Sequence, residues 1–171
     1  MSLFVCAEKV QIGDLFYEFD EDNKTAKVVK DDSYKTLVNF AVVVPDKVEH
    51  NNETYPVTRI GNEAFKGCEN IVSVTLGANI AYLETMSFYG CKNIETFTCN
   101  AISPPKVQGL VFNNVPRSQI PLTVPSQSLE AYRSETEWKK FILPEPIQMC
   151  TITLVTEDGS MGKIEWKKKN D

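Results

Sequence analysis

The residues of this chain that could do chemistry are its cysteines and its one histidine. The cysteines are widely spaced, at Cys6, Cys68, Cys91, Cys99 and Cys150. A nucleophilic dyad would need one of these thiols beside His50, which lies in a polar stretch without a convincing partner. No two cysteines are spaced as C-x-x-C with a histidine nearby, so the spacing does not indicate zinc. The odd number of cysteines excludes a fully paired disulfide framework, and buried thiols are the favoured interpretation.

Other catalytic and binding patterns are also missing. The sequence contains no G-x-S-x-G, H-E-x-x-H, P-loop or dinucleotide-binding fingerprint. Residues 20–24 are rich in Asp and Asn, but Asp31 stands where a calcium-binding EF-hand loop needs Glu, so a solvated turn is favoured. N-glycosylation sequons begin at Asn23 and Asn52, both in predicted turns, where Asn and Thr are common anyway. We therefore predict no catalytic residue, no metal site and no cofactor.

Two of the cysteines lie at equivalent places in an internal repeat. When the sequence is shifted by 23 residues, segment 60–80 aligns with segment 83–103, and seven of the 21 aligned positions are identical. The identical pairs are Phe65/Phe88, Gly67/Gly90, Cys68/Cys91, Asn70/Asn93, Ile71/Ile94, Thr75/Thr98 and Ala78/Ala101. A fixed period of this length is the signature of stacked structural units. In such a stack Cys68 would lie next to Cys91, where a disulfide would be feasible but is not required.

Each repeated position has a structural role. The I-x-x-V-x-L pattern that begins at Ile71, and its copy at Ile94, predicts a strand with one buried face. The two glycines permit the backbone geometry of a tight corner, which the two phenylalanines would fill from inside. The predicted core of the repeat consists of Ile60, Phe65, Cys68, Ile71, Val74, Leu76, Leu83, Phe88, Cys91, Ile94, Phe97 and Cys99.

Weaker copies of the unit flank the two clear ones. Val42 and Val44 match the strand upstream, and Leu122 and Val124 match it downstream, each pair being followed by Pro. Phe112 lies 24 residues after Phe88 and indicates a third corner. The first unit carries an insertion, whose residues 49–54 have the composition of a polar turn. The sequence therefore predicts a β-rich solenoid of about four parallel rungs with a period of roughly 23 residues.

The two ends of the chain predict caps. Residues 15–19 and 25–29 form strand patterns around the turn at 20–24, which indicates an N-terminal β-hairpin. At the other end, Ser126 or Ser128 could cap a short helix that has Leu129 and Tyr132 on one face. Trp138 and Phe141 are spaced for a second turn against the last rung.

These patterns divide the chain into a repeat domain with its caps, at 8–146, and a C-terminal strand pair at 147–171. The second segment has strand-like runs around Leu154 and Ile164, and it could be the start of a further module. Residues 2–7 could be the remnant of a signal peptide or an ordinary apolar strand.

Composition limits the class of partner. The 171 residues carry a net charge of -5, with 42% hydrophobic and 24% charged residues, as in a folded soluble domain. Nucleic acid is not a predicted partner, because the only run of basic residues is the lysines at 167–169. No apolar run reaches the ~20 residues that a transmembrane helix needs.

The repeat resembles that of BspA-like leucine-rich-repeat proteins. The resemblance rests on Ile60-Gly61-x-x-Ala64-Phe65-x-Gly67-Cys68 followed by Ile71-x-x-Val74-x-Leu76, and it covers residues 12–142. It implies a leucine-rich-repeat fold in a secreted or cell-surface protein, of a type known from gut and oral bacteria and implicated in adhesion to host proteins. The sequence departs from the family pattern at Gly77 and Asn100, where Pro is usual after the strand, and at Ser87, where Ala is usual.

A candidate binding surface follows from the strand alternation. If the apolar strand residues point inward, the residues between them face outward on an open sheet, namely Ser73, Thr75, Thr96, Thr98 and Asn100. Repeated faces of this kind are where solenoids bind, although hydroxyl side chains on a solvated strand are also common without a ligand. We predict a non-enzymatic recognition or adhesion module for a protein or glycan, for which host extracellular matrix is one candidate. The alternative is a structural spacer or targeting arm of a larger protein, which could include an enzyme.

Overall fold

The computed structural model describes residues 8–145, and these form a strand-rich fold with one short helix. The helix is α1, Leu129–Ser134. The strands are β1 (Val10–Ile12), β2 (Leu15–Asp20), β3 (Thr25–Val28), β4 (Phe40–Val44), β5 (Lys47–His50), β6 (Glu53–Ile60), β7 (Ile71–Leu76), β8 (Tyr82–Leu83), β9 (Thr96–Cys99), β10 (Lys106–Val107) and β11 (Leu122–Thr123). The predicted strand pair at 147–171, the apolar residues 2–7, Cys6 and Cys150 lie outside the described residues.

One sheet is formed by the strands of the repeat. Strands β4, β7, β9 and β11 pair in parallel, in the order β11-β9-β7-β4. Val74 on β7 lies opposite Phe97 on β9, and Leu76 lies opposite Cys99, which is the 23-residue offset of the sequence repeat. Between β4 and β7 the offset is 32 residues, with Val44 opposite Leu76, because of the insertion in the first unit.

A second sheet of seven strands contains the N-terminal cap. Its strands follow the order β1-β2-β3-β6-β8-β10, with β5 paired to β6. Strands β2 and β3 pair antiparallel around the turn at 20–24, so the predicted N-terminal hairpin is confirmed. The insertion at 49–54 is itself a hairpin of β5 and β6, not a simple turn. Only Asn51 and Asn52 form its loop, and both have positive φ, as a two-residue hairpin connection requires.

The repeated corners stack inside the fold. Gly67 and Gly90 have φ of 71° and 75°, a left-handed conformation that glycine adopts without steric cost. The rings of Phe65 and Phe88 stack at 5.2 Å between centroids, and Phe112 follows Phe88 at 6.1 Å. The third corner predicted at Phe112 is therefore present. Each buried aromatic of this size contributes roughly 1.5–3 kcal/mol through removal of apolar surface from water.

The ends of the core are closed by aromatic side chains. At the N-terminal end the ring of Tyr34 packs against Phe65 at 5.1 Å between centroids. At the C-terminal end Trp138 packs against Phe112 at 5.6 Å, and its indole N–H donates to the carbonyl oxygen of Pro105. Helix α1 begins after Ser128, as predicted. The serine side chain forms no capping hydrogen bond, and its hydroxyl is buried without a partner.

All twelve predicted core residues are buried, with 0 to 3% of their surface exposed. Alternation along β7 and β9 explains the burial of Val74, Leu76, Phe97 and Cys99. The other side chains of these strands form the outer face of the four-stranded sheet.

Candidate interaction surface

The outer face of the four-stranded sheet brings the predicted surface residues together. Ser73 lies opposite Thr96 and Thr75 lies opposite Thr98 on neighbouring strands. Thr96 is exposed, and the other three are half-buried. Asn100 follows the end of β9 and is exposed at the edge of the sheet, where its backbone N–H donates to the carbonyl oxygen of Leu76.

The face extends over two further strands that the sequence prediction did not include. Thr123 on β11 lies opposite Thr98, and Val43 on β4 lies opposite Thr75. Val43 is 61% exposed, and Ala41 beside it on the strand is also exposed. A row of four side chains thus crosses four strands, a span of about 14 Å at the usual spacing between strands. Alternation within β4 and β11 could have identified both residues. We name this surface, made of Ala41, Val43, Ser73, Thr75, Thr96, Thr98 and Thr123, the hydroxyl face.

The hydroxyl face carries no charged residue, whereas the outer face of the seven-stranded sheet does. There Glu18, Lys27 and Arg59 lie in one row across β2, β3 and β6. Lys27 pairs with Glu18 at 3.0 Å, and Arg59 pairs with Glu84 at 3.5 Å while it stacks over Tyr82. Charged residues are depleted in the centre of protein interfaces, because they are costly to remove from water. The hydroxyl face is therefore the easier of the two to cover with a partner.

A groove of about 700 Å³ lies along the edge of the sheet where the strands begin. Val38, Val72 and Glu95 are among its lining residues, together with Glu69 and Lys92, which form an ion pair of 2.8 Å. The groove passes each of the strands that bear the hydroxyl face. Glu95 forms no ion pair with any described residue, so the groove carries one uncompensated negative charge.

The two repeated asparagines that line this groove have structural roles. The side-chain amide of Asn70 donates to the carbonyl oxygens of Tyr34 and Leu37, at 2.6 and 2.8 Å. The amide of Asn93 donates to the carbonyl oxygen of Glu69 at 2.8 Å. Each asparagine thus joins its own unit to the preceding one, which explains why the position is identical in both copies.

The three thiols among the described residues are buried in the core and form no dyad with histidine. Cys68, Cys91 and Cys99 are free. Burial raises the pKa of Cys68 to about 11 and also raises the pKa values of the other two thiols. The thiol of Cys91 donates to the carbonyl oxygen of Phe65 at 3.1 Å. Because the thiolate is the nucleophile, a raised pKa makes these groups unreactive near neutral pH.

The histidine lies in the N-terminal cap. The ring of His50 stacks on Phe19 at 4.4 Å between centroids and hydrogen bonds with the amide of Asn51. Neither contact involves a described cysteine. The nearby acidic turn is also satisfied internally, because the carboxylate of Asp20 accepts hydrogen bonds from the backbone and side-chain N–H groups of Asn23.

The described residues contain neither a metal-binding cluster nor a membrane-spanning helix. Among residues 8–145 no group of three or more His, Cys, Asp or Glu side chains is placed to hold a metal ion. No helix in the same part of the chain is long and apolar enough to span a bilayer.

Comparison with known proteins identifies a repeat family for most of the described residues. Residues 47–149 match a family model described as a BspA type leucine rich repeat region, in six copies. No curated protein matches the chain.

Two solved structures that match the chain are of bacterial proteins. A leucine rich cell surface protein from Faecalibacterium prausnitzii is 21% identical, with a TM-score of 0.55 over 68% of this chain and 31% of that chain. A leucine-rich repeat protein from Bacteroides capillosus is 22% identical, with a TM-score of 0.49 over 68% of this chain and 98% of that one. This chain thus spans about a third of the length of the first protein. At this identity the likeness bears on the fold alone.

Proposed function

Because the chain belongs to the BspA type leucine rich repeat family, we propose that it is a non-enzymatic protein-interaction module that binds its partner through the hydroxyl face. The observation that carries this proposal is the contrast between the two sheets. The hydroxyl face is uncharged and continuous over four strands, whereas the opposite face carries a row of paired charges. Only the first can be covered over a broad area without the cost of removing charged groups from water.

The proposed architecture is a solenoid of four rungs with a cap at each end, formed by residues 8–146 as one repeat domain. Pairing of β4, β7, β9 and β11 in register supports this count. In a solenoid each unit contacts only its neighbours, so equivalent side chains recur on one face. This recurrence would turn Thr75, Thr98 and Thr123 into a row that a flat protein surface can contact.

The proposed location is the cell surface or the extracellular space, and the proposed activity is adhesion. The Faecalibacterium prausnitzii structure is that of a leucine rich cell surface protein, and this chain belongs to the BspA type leucine rich repeat family. A protein partner is favoured over a glycan because the hydroxyl face has no aromatic ring, so a ligand would have to be held by polar and aliphatic contacts spread over the sheet. Host extracellular-matrix proteins are the first class to test.

A second candidate function is that of a structural spacer or targeting arm in a larger protein. It is favoured by the length comparison, since this chain matches only 31% of the Faecalibacterium prausnitzii protein. A spacer would need the stacked core but not the hydroxyl face, and this difference separates the two functions experimentally.

The test is a binding screen with surface variants. Purified chain is measured by biolayer interferometry against immobilised extracellular-matrix proteins and, in parallel, on a glycan array. The variant that carries Thr75→Lys, Thr96→Lys and Thr98→Lys replaces the centre of the hydroxyl face with three charges. The control carries Gln11→Lys, Thr54→Lys and Ser103→Lys, which add the same charge at exposed positions outside the face.

We expect binding to a matrix protein that the first variant loses and the control retains. Each lysine would have to be dehydrated without a counter-charge, so a loss of at least about tenfold in affinity is expected. Equal affinity in both variants would exclude the hydroxyl face. Binding on the glycan array alone would replace the protein partner by a glycan, and no binding to either would favour the spacer.

A further inference from the structure

The corners of the repeat are joined by backbone hydrogen bonds that all run in the same direction. In each case a backbone N–H of one unit donates to a carbonyl oxygen of the next unit along the chain. The bonds at the first corner are Glu63 to Thr85 at 3.0 Å, Phe65 to Ser87 at 2.8 Å and Gly67 to Tyr89 at 2.7 Å. Those at the second are Met86 to Gly109 at 3.0 Å and Gly90 to Asn113 at 2.9 Å. Two donor positions are thus shared by both corners and point toward the following unit.

These donors share one backbone conformation, which also identifies their counterparts in the third corner. Glu63 and Met86 have φ of 54° and 57°, and Leu110 has φ of 58° at the equivalent position. At the position equivalent to Gly67 and Gly90, the third corner has Asn114, with φ of 59°. Left-handed backbone at a non-glycine residue is uncommon, so its recurrence marks the same corner geometry three times.

The third corner has no unit to receive its donors within residues 8–145. No described residue accepts a hydrogen bond from the N–H of Leu110 or Asn114. The C-terminal cap covers the core beside this corner, since Trp138 and Phe141 pack on Phe112. Within residues 8–145 it leaves the N–H groups of Leu110 and Asn114 without an acceptor. Unpaired backbone donors at the edge of a stacked structure are a template for pairing with another chain.

The surface next to this edge could hold such a chain. A cavity of about 450 Å³ lies there, lined in part by Leu110, Asn113 and Arg117. The side chain of Leu110 is 55% exposed. Arg117 and Lys140 both pair with Glu137 at 2.6 Å, so these three residues leave one positive charge beside the open donors. An oxygen acceptor is therefore favoured at this place by both the N–H groups and the local charge.

We propose that the open edge at residues 110–114 binds a corner segment of the same repeat type from another polypeptide chain. The ligand would present two carbonyl oxygens four residues apart, as Thr85 and Tyr89 do for the first corner. It would continue the hydrogen-bond pattern of the stack and cover the exposed side chain of Leu110. This edge lies apart from the hydroxyl face, and the proposal does not depend on that face having a ligand.

A peptide of residues 83–90 of this chain is a suitable probe, because it contains the carbonyl groups that accept at the first corner. The full chain, labelled with nitrogen-15, is titrated with this peptide and with a scrambled version of it. We expect the amide signals of Leu110 and Asn114 to shift and their hydrogen exchange to slow, with a dissociation constant of about 1 mM. The scrambled peptide should leave both signals unchanged.

A matched pair of variants tests the apolar contact. Leu110→Asp should weaken peptide binding at least about tenfold, whereas Ile102→Asp, at a residue that is 63% exposed and outside this cavity, should change it less than about twofold. Leu110→Asn provides a second variant whose residue tolerates left-handed backbone, so that loss of binding is separable from loss of folding. Amides already protected in the free chain, or peptide-induced shifts elsewhere only, would overturn the proposal.

Discussion

The ring of Phe88 lies against the ring of Phe65, with their centroids 5.2 Å apart and their planes inclined by 20°. The two residues are 23 positions apart in the sequence, so the repeat period appears in the structure as a stacking distance. Phe112 extends the column on the other side of Phe88 at 6.1 Å. Phe88 is therefore the central member of the column, between the rings of Phe65 and Phe112.

Removal of this ring should be severely destabilising. Phe88→Ala leaves a cavity in the middle of the column. Backbone hydrogen bonds fix the spacing of the stacked units, so the units cannot collapse into the cavity. We expect a loss of about 3–5 kcal/mol in the free energy of unfolding, measured by urea denaturation. Tyr89→Ala is the control, because this neighbouring ring is only half-buried, and it should cost less than about 1.5 kcal/mol. Similar losses in the two variants would show that the column is not the centre of the core.

Ser87 is a buried polar residue without a partner. Its side chain has no exposed surface, and its hydroxyl forms no hydrogen bond with the described residues. The equivalent position in the preceding unit is the buried Ala64. Because an unpaired buried hydroxyl carries a desolvation cost, Ser87→Ala should stabilise the fold by about 1 kcal/mol in urea denaturation. Ser118→Ala, at an exposed position, should change stability by less than ~0.5 kcal/mol, and a destabilised Ser87→Ala would reveal a hydrogen bond.

The fold could be predicted from the sequence wherever one residue type has one physical role. The identical Phe, Gly and Cys positions gave the period, and alternation at Val74 and Leu76 gave the buried face of the sheet, because an offset by one residue would expose the core side chains. The hydroxyl face followed from the same alternation. Its extension to Val43 and Thr123 was missed because the flanking strands were assigned only by their buried residues.

Other features could not be predicted because the residues that form them have no distinctive type. Glu63, Met86 and Leu110 adopt left-handed backbone although none is Gly or Asn, so these donors of the corners give no signal in the sequence. The side chain of Ser128 has the right type and position for a helix cap. It forms no capping bond, because Ser128 ends a 3-10 turn at Ser126–Ser128 and already has helical backbone, with φ of -100° and ψ of -5°, whereas a cap residue has extended backbone.

The buried thiols should resist modification in the folded chain. Cys68, Cys91 and Cys99 are inaccessible, and burial raises the pKa of each. At about pH 8 we expect iodoacetamide to label none of the three until urea unfolds the chain, because the reactive thiolate is scarce and shielded. Peptide mapping by mass spectrometry reads each site separately. Ser118→Cys supplies an exposed thiol as the positive control, and rapid labelling of Cys68 beside it would contradict the buried assignment.

Acid should weaken the attachment of the first strand. The carboxylate of Asp31 accepts a hydrogen bond from Lys9 at 2.6 Å and further hydrogen bonds from Ser33. These bonds, the one with Lys9 most of all, lower the pKa of Asp31 from 3.8 to about 2. Since the folded-state pKa is the lower one, the contribution is complete above about pH 4 and is lost as the pH falls toward 2. Asp31→Asn should remove this part of the pH dependence in thermal unfolding, whereas Asp14→Asn, with a carboxylate exposed and without an ion pair among the described residues, should not. Parallel pH profiles for wild type and Asp31→Asn would contradict the assignment.

At Gly77, directly after β7, the chain departs from the family pattern, and a close backbone contact explains why glycine is needed there. A Cβ atom at Gly77 would lie 2.7 Å from the carbonyl carbon of Pro45 and 2.8 Å from the backbone nitrogen of Asp46, closer than real Cβ contacts. Pro45 and Asp46 lie against Gly77 because the hairpin of β5 and β6 begins directly after β4. The insertion in the first unit therefore accounts for the glycine. Gly77→Ala should therefore cost about 1–3 kcal/mol in urea denaturation, since backbone atoms must shift. Gly109→Ala is the control, because a Cβ there meets no atom within 4 Å and its φ is not in the left-handed region, so it should be neutral. Equal effects of the two substitutions would show that the contact with Pro45 does not determine the cost.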